Sequence, residues 1–308
     1  MQKIYYGAPG TGKSYAITEF LKEKRIDDEY IFRITFHPEF TYNDFVGQLL
    51  PTVEKNAENK ENITYKFSKG VFTLALEKAY QDTSKEVYLI IEEMSRGNCA
   101  AIFGDIFQLL DRENSGTNKG YSRYFINNSI IAKDIIALED DRIKLPANFS
   151  ILGTVNTSDQ NVFVMDTAFK RRFEWEYIST KPVPKGGPYL NNIDISLNNG
   201  DMTSTISWVN LYTALNEFIS SNNWLGLGED KQIGQFFIEF DRDSDNTEKI
   251  RNKLLHYLWF DIQQASYKSE VKLFDETVSN FSDLYDKYEA KEKIFSNEFF
   301  ECIEKMQR

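Results

Sequence analysis

The chain has 308 residues, a mass of 35.9 kDa, 41% hydrophobic and 27% charged residues, enough for about two cored domains and unlike a disordered or collagenous chain. Its net charge of −11 disfavours a surface that grips phosphate backbones throughout, while leaving room for a local basic stripe. Two cysteines, Cys99 and Cys302, make neither a disulfide framework nor a zinc quartet and fit a reducing, cytoplasmic setting; with no apolar run near the ~20 residues that span a bilayer, and no signal-peptide core, no membrane partner is expected.

A very short strand at residues 4–6 opens the chain, followed by a glycine-rich turn and a helix over residues 14–24. Residues 30–36, β-branched and aromatic, predict a second strand. Residues 41–50 predict a short helix stopped near Pro51, residues 56–62 a polar loop tip, and Ser68 a cap for a helix over 70–80. The continuous apolar run 87–91 has the pattern of a strand buried on both faces of a parallel sheet, with a helix expected over 100–110. Residues 111–148 read as irregular, with hairpin strands near 121–126 and 142–145. Another buried strand is expected at 151–155, a helix at 168–172 and an extended segment at 173–178. This alternation predicts a parallel α/β domain over residues 1–180. The Pro-, Gly- and Asn-rich stretch 181–203 reads as a linker or long surface loop, and 204–308 as a smaller, mainly helical domain.

The strongest chemical signal is Gly7-Ala8-Pro9-Gly10-Thr11-Gly12-Lys13-Ser14, a full match to the phosphate-loop pattern G-x-x-x-x-G-K-[ST]. Its glycines permit a backbone that aims several N–H groups into one concavity, and a helix N-terminus adds partial positive charge there. Lys13 would neutralise β- and γ-phosphates, and the Ser14 hydroxyl would ligate Mg²⁺. The run 87–91 ends in Glu92-Glu93, which places two carboxylates at the carboxyl edge of the sheet. Glu92 would hold Mg²⁺, through water, and Glu93 would polarise the attacking water. The strand 151–155 leads into Asn156-Thr157-Ser158-Asp159. Asn156 could orient water beside a γ-phosphate and Asp159 could help fix it; an Asx turn is the plainer alternative. In Lys170-Arg171-Arg172 the guanidinium groups suit phosphoryl-transfer charge, and one supplied by a neighbouring subunit can accelerate hydrolysis about 10³–10⁵-fold; local ion pairs are the alternative.

Taken together, GAPGTGKSY, FHPEFTYNDFVGQLLP, YKFSKGVF, LIIEEMSRGNCAAIFGDIFQLLD, LPANFSILGTVNTSD and MDTAFKRRFEW resemble, in kind and order, an AAA+ NTPase of the McrB family, the GTP-driven motors of McrBC-type modification-dependent restriction. QIGQFF at residues 232–237 is similar to that family's lid motif. The likeness is dense over residues 1–180 and thin beyond. It implies a P-loop AAA+ sheet domain with a helical lid, a hexameric ring, GTP rather than ATP with Mg²⁺, and Arg171 or Arg172 acting on the neighbour's nucleotide. It also implies stimulation by a McrC-like nuclease subunit. An ATP-dependent remodeller and a weakly hydrolysing assembly scaffold are the alternatives. Three positions depart from the family pattern: Glu92 stands where Asp is usual, Gln235 where His is common, and Gln160 where a basic residue is common. No DNA-reading segment precedes the phosphate loop, so DNA contact is expected through a domain or partner outside this chain.

His37 and His256 are expected to be packing or surface residues, Cys99 a buried small residue, and the aromatics, 15% of the chain, core and interface. Glu289-Ala290-Lys291 reads as a solvated helix face.

Overall fold

Strand β1 (Gln2–Gly7) runs into helix α1 (Lys13–Glu23), and β2 (Ile31–Thr35) follows. Helix α2 (Tyr42–Val46) leads into β3 (Gly47–Lys55) and β4 (Glu61–Lys69), then α3 (Val71–Gln81) and β5 (Val87–Glu92). Helix α4 (Cys99–Phe103), 3-10 turns over Gly104–Leu110, β6 (Ile126–Asn127), β7 (Arg142–Ile143), β8 (Phe149–Asn156), α5 (Thr167–Lys170) and β9 (Glu174–Tyr177) complete the first part. The remainder carries β10 (Asp194–Asn199), β11 (Met202–Ser207), α6 (Trp208–Ser220), α7 (Thr247–Lys249), α8 (Phe281–Glu289) and α9 (Asn297–Gln307). This computed structural model describes residues 1–55, 61–136, 138, 140–158, 163–184, 189–200, 202–241, 245–267 and 269–307.

Contacts divide the chain into two units, Met1–Tyr6 with Ser14–Tyr177, and Gly7–Lys13 with Ile178–Arg308. The first unit holds a five-stranded sheet in the order β2-β5-β8-β1-β9, with β2–β5, β5–β8 and β1–β9 all parallel. The apolar run that predicts a doubly buried strand is one: every residue from Val87 to Ile91 is fully buried. Rings from several elements form its core. Phe45 lies 5.0 Å from Phe103 and 5.5 Å from Phe72, and Phe103 meets Phe169 edge-on at 5.2 Å. Each buried Phe contributes about 1.5–3 kcal/mol. In the second unit α6 is the core helix: Trp208, Tyr212 and Phe218 are fully buried, and Phe218 packs edge-on against Phe299 of α9. Ser207 caps α6 by accepting from the Asn210 N–H.

Several local expectations need correction. The helix over 41–50 is only Tyr42–Val46; Thr41 and Asp44 close its start in a capping box, and Gly47 at φ 129° turns the chain into β3. Pro51 therefore sits inside an antiparallel hairpin opposite Tyr65, a two-stranded ribbon where a missing N–H donor is tolerated. Of the polar tip 56–62, residues 61–62 belong to β4, and 56–60 lie outside the described residues. Ser68 pairs with Gln48 within that hairpin and caps nothing; Gly70 is the N-cap of α3. The helix over 100–110 becomes a short α4 and a 3-10 segment. The hairpin near 121–126 and 142–145 shrinks to Ile126–Asn127 against Arg142–Ile143. The stretch 181–203 contains β10 and the start of β11, an antiparallel pair rather than open linker. Within the mainly helical stretch 204–308, α7 is followed by π-helical turns at Ile250–Leu255 and Leu258–Gln263.

Both histidines are exposed against aromatic rings, His37 at 5.5 Å from Phe40 and His256 at 4.6 Å from Phe260. Glu289 on α8 pairs with Arg251 at 2.9 Å. Among the described residues no helix is long and apolar enough to cross a membrane. Both cysteines are buried, and burial pushes the Cys99 thiol up to about 12 and Cys302 to about 11. An aromatic disulfide reagent at pH 8 should therefore titrate no thiol in the folded chain and two after denaturation; fast labelling of either in the folded chain would contradict this burial.

Candidate functional site

In the first unit the acidic pair sits where β5 leaves the sheet. The parallel register sets Ile91 of β5 against Gly153 of β8, so the residues that follow, Glu92 and Thr154, meet at the carboxyl edge. The Thr154 hydroxyl donates to Glu92 Oε2 at 2.6 Å, and the Ser14 hydroxyl, from the start of α1, donates to the same oxygen at 2.9 Å. Arg33 of β2 closes on the other oxygen, Glu92 Oε1. Glu92 thus presents one oxygen to a basic side chain and one to two hydroxyls. Ser14 and a carboxylate within hydrogen-bond distance form a pair of hard oxygen donors suited to Mg²⁺.

Glu93 adopts a left-handed backbone, φ 54° and ψ 43°, which costs a non-glycine residue about 1–2 kcal/mol. Its N–H donates to Thr154 Oγ1 at 3.1 Å, which helps offset that cost. The turn brings its carboxylate to the Asn156 amide, whose Nδ2 donates to both oxygens at 3.0 and 2.8 Å, with Arg96 Nε at 3.5 Å. Thr154 and Asn156 lie two apart on β8 and so point to one face. The Glu92-Glu93 acids and Asn156 singled out in sequence are therefore brought together. A carboxylate held by an amide, next to a hydroxyl–carboxylate pair, can accept a proton from a positioned water.

In the second unit, the segment Gly7–Lys13 forms a loop with Gly10 at φ 76° and Gly12 at φ 91°, where glycine is needed. Lys13, 7% exposed, donates from Nζ to Gly7 O at 3.1 Å and Ala8 O at 2.9 Å; the Thr11 hydroxyl donates to Ala8 O at 3.0 Å. On its other side the loop accepts from residues 234–236: Gly234 N–H donates to Pro9 O at 2.8 Å and Phe236 N–H to Gly10 O at 2.7 Å. The cation thus rests on carbonyls of its own loop. A loop with a lysine folded under it and glycines in left-handed conformations fits a triphosphate.

The two arginines part company. Arg171 is exposed. Arg172 is committed locally: its guanidinium pairs with Asp111 at 2.7 Å, donates to Ala168 O at 2.7 Å and lies 4.0 Å over the Phe107 ring, leaving the side chain 9% exposed. Asp159 lies outside the described residues. Gln235, at the position where the family pattern favours His, is buried and accepts from Val183 N at 2.7 Å.

Sequence reasoning missed Thr154 and Arg33. Strand alternation could have found Thr154, two residues before Asn156; a lone arginine between Phe32 and Ile34 is the only trace of Arg33. Two substitutions check this geometry. Thr154→Val removes a buried hydroxyl that serves both Glu92 and the Glu93 N–H and should cost about 1–3 kcal/mol in urea unfolding. Arg172→Ala should cost roughly 2 kcal/mol or more, because it strands Asp111, while Arg171→Ala should stay within about 0.5 kcal/mol; equal effects of the two would refute the different roles of these neighbours.

The AAA domain family (dynein-related subfamily) matches residues 4–173. A component of the type II restriction enzyme BsuMI of Bacillus subtilis (strain 168), YdiS, is 34% identical over 315 aligned residues, covering 96% of this chain and 87% of that protein. The type IV methyl-directed restriction enzyme EcoKMcrB subunit of Escherichia coli (strain K12) is 24% identical over 174 residues, 56% of this chain and 34% of that protein. With a parallel sheet, a phosphate loop and paired acids at the sheet edge, the chain belongs to the AAA domain family, dynein-related subfamily, as a McrB-like AAA+ NTPase.

Proposed function

We propose that this chain is a Mg²⁺-dependent nucleoside triphosphatase that prefers GTP, assembles as a hexameric ring and drives a McrC-like nuclease subunit in DNA restriction. The observation that carries the hydrolytic reading is the shared hold on two carboxylates: Ser14 and Thr154 on Glu92, Asn156 on Glu93. In the proposed site the N–H groups of Gly10, Thr11 and Gly12 and the Lys13 ammonium receive the phosphates, within a loop shaped by Gly7 and Pro9. Ser14 and Glu92 would hold Mg²⁺, which when bound neutralises charge on the β- and γ-phosphates. Arg33 pairs with the other Glu92 oxygen, Oε1, and leaves Oε2 to the Ser14 and Thr154 hydroxyls. Glu93 accepts the proton of the water that attacks the γ-phosphorus, and the diphosphate leaves on the opposite side. Asn156 orients Glu93 and the water. Asp159 takes its helper role from the N-T-x-D pattern alone.

Arg171 is assigned as the residue that reaches a neighbouring copy's nucleotide, because it is exposed, whereas Arg172 acts as its anchor through Asp111. Residues 1–180 form the proposed nucleotide-binding domain and 204–308 the lid. Restriction is supported by the names of the two relatives, and GTP by the McrB-like order of motifs. DNA is reached through a domain or partner outside this chain.

Glu93→Gln should lower turnover about 10²–10⁴-fold while leaving nucleotide binding intact, and Lys13→Ala should abolish binding in calorimetry. Normal phosphate release by Glu93→Gln would remove its role as base. Arg171→Ala should lose at least about 10³-fold in turnover and regain part of it when mixed with Lys13→Ala chains; no recovery in mixed rings would exclude action on a neighbour. Sedimentation with GTP and with ATP should show a larger particle at lower GTP concentration. Equal response to both favours an ATP-capable remodeller, and assembly without phosphate release favours a scaffold.

A further inference from the structure

Residues 232–240 carry neither helix nor strand, yet side chains hold their backbone almost point by point. Asn216 of α6 clamps Ile233 from both sides, donating to its carbonyl at 2.7 Å and accepting from its N–H at 2.8 Å. Trp208 Nε1 and Asn191 Nδ2 both donate to Gln235 O at 2.8 Å, and Asn191 also donates to Ile238 O at 2.7 Å while accepting from Phe240 N–H at 2.9 Å. The Gln235 side chain, 2% exposed, accepts from Val183 N–H and donates to Leu190 O. An irregular segment with so many side-chain partners is rigid rather than a passing loop.

This rigid segment directs two of its N–H groups, those of Gly234 and Phe236, onto the carbonyls of Pro9 and Gly10. In a trans peptide the C=O and the following N–H point in opposite directions. Turning the Pro9 and Gly10 carbonyls towards residues 234–236 therefore turns the Gly10 and Thr11 N–H groups away from those residues. The approach requires glycine on both sides. A Cβ on Gly234 would fall 2.4 Å from Gly10 C, Gly10 O and Thr11 N, and a Cβ on Gly10 would fall 2.3 Å from Phe237 N.

We infer that residues 234–236 are a latch that sets the peptide planes of the phosphate loop before nucleotide arrives, making Gly234 and Phe236 positioning residues for triphosphate capture. The inference deepens the proposed function and rests on its nucleotide-binding reading. Each loop residue left unordered in the free chain must be ordered on binding, which lowers affinity by roughly tenfold per residue.

Two variants test it. Gly234→Ala pushes the latch off, and replacement of Phe236 by its α-hydroxy analogue changes the donating N–H to an ester oxygen while keeping the side chain. Unfolding midpoints without nucleotide report folding, and amide exchange in the free chain reports the latch itself, whose Gly234 and Phe236 amides should be protected. Titration with Mg²⁺-GTP and Mg²⁺-ATP should show a dissociation constant raised about tenfold or more in both variants, with kcat at saturation within about twofold of the parent. Should Gly234→Ala fail to fold, the ester variant decides. Unprotected amides in the parent chain, or an ester variant with the parent's dissociation constant, would overturn the latch. A parent chain that binds no triphosphate although its latch amides are protected overturns the function proposed above instead.

Discussion

Two partly buried carboxylates at the end of a strand buried on both faces need donors to meet them at its edge. That constraint organises the first unit. Burial of Val87–Ile91 leaves Glu92 at the rim with 14% of its side chain exposed. An unpaired carboxylate so placed would cost several kcal/mol. Ser14, Thr154 and Arg33 arrive from three different elements to satisfy it. Parallel pairing makes this possible, because it places the carboxyl ends of β5 and β8 side by side. The hydroxyl of Thr154 is shared between Glu92 and the Glu93 N–H, so the position of one acid is tied to the backbone conformation of the next.

The second unit solves a different problem with the same economy. A phosphate loop made of glycine and proline has little side-chain surface to fix it. Its backbone is instead held by backbone, through N–H groups presented by a segment that side chains of α6 and of Asn191 hold in place. Gln235 illustrates how a departure from a family pattern is accommodated. Its amide serves as both donor and acceptor within the chain, which an imidazole in one tautomer would do with different geometry. The neighbours Arg171 and Arg172 differ in surroundings: Arg172 is held over Phe107 and paired with Asp111, whereas Arg171 is exposed.

What the residues alone determined was the chemistry of local order. The phosphate-loop pattern follows from glycine's access to left-handed backbone, as Gly10 and Gly12 show. The doubly buried strand at 87–91 follows from an unbroken apolar run, and the alternation of strands and helices from periodicity. These signals are carried by neighbours in sequence, so they can be read without a fold. Only the tertiary structure decided which of two adjacent arginines is anchored, that Thr154 and Arg33 join the acids, that residues 47–69 form a hairpin around Pro51, and that residues 234–236 grip a loop more than 220 positions earlier. Those outcomes depend on strand register and on partners distant in sequence. Ser68 beside Gly70, or Arg171 beside Arg172, carries no local mark of the side on which its partner will stand.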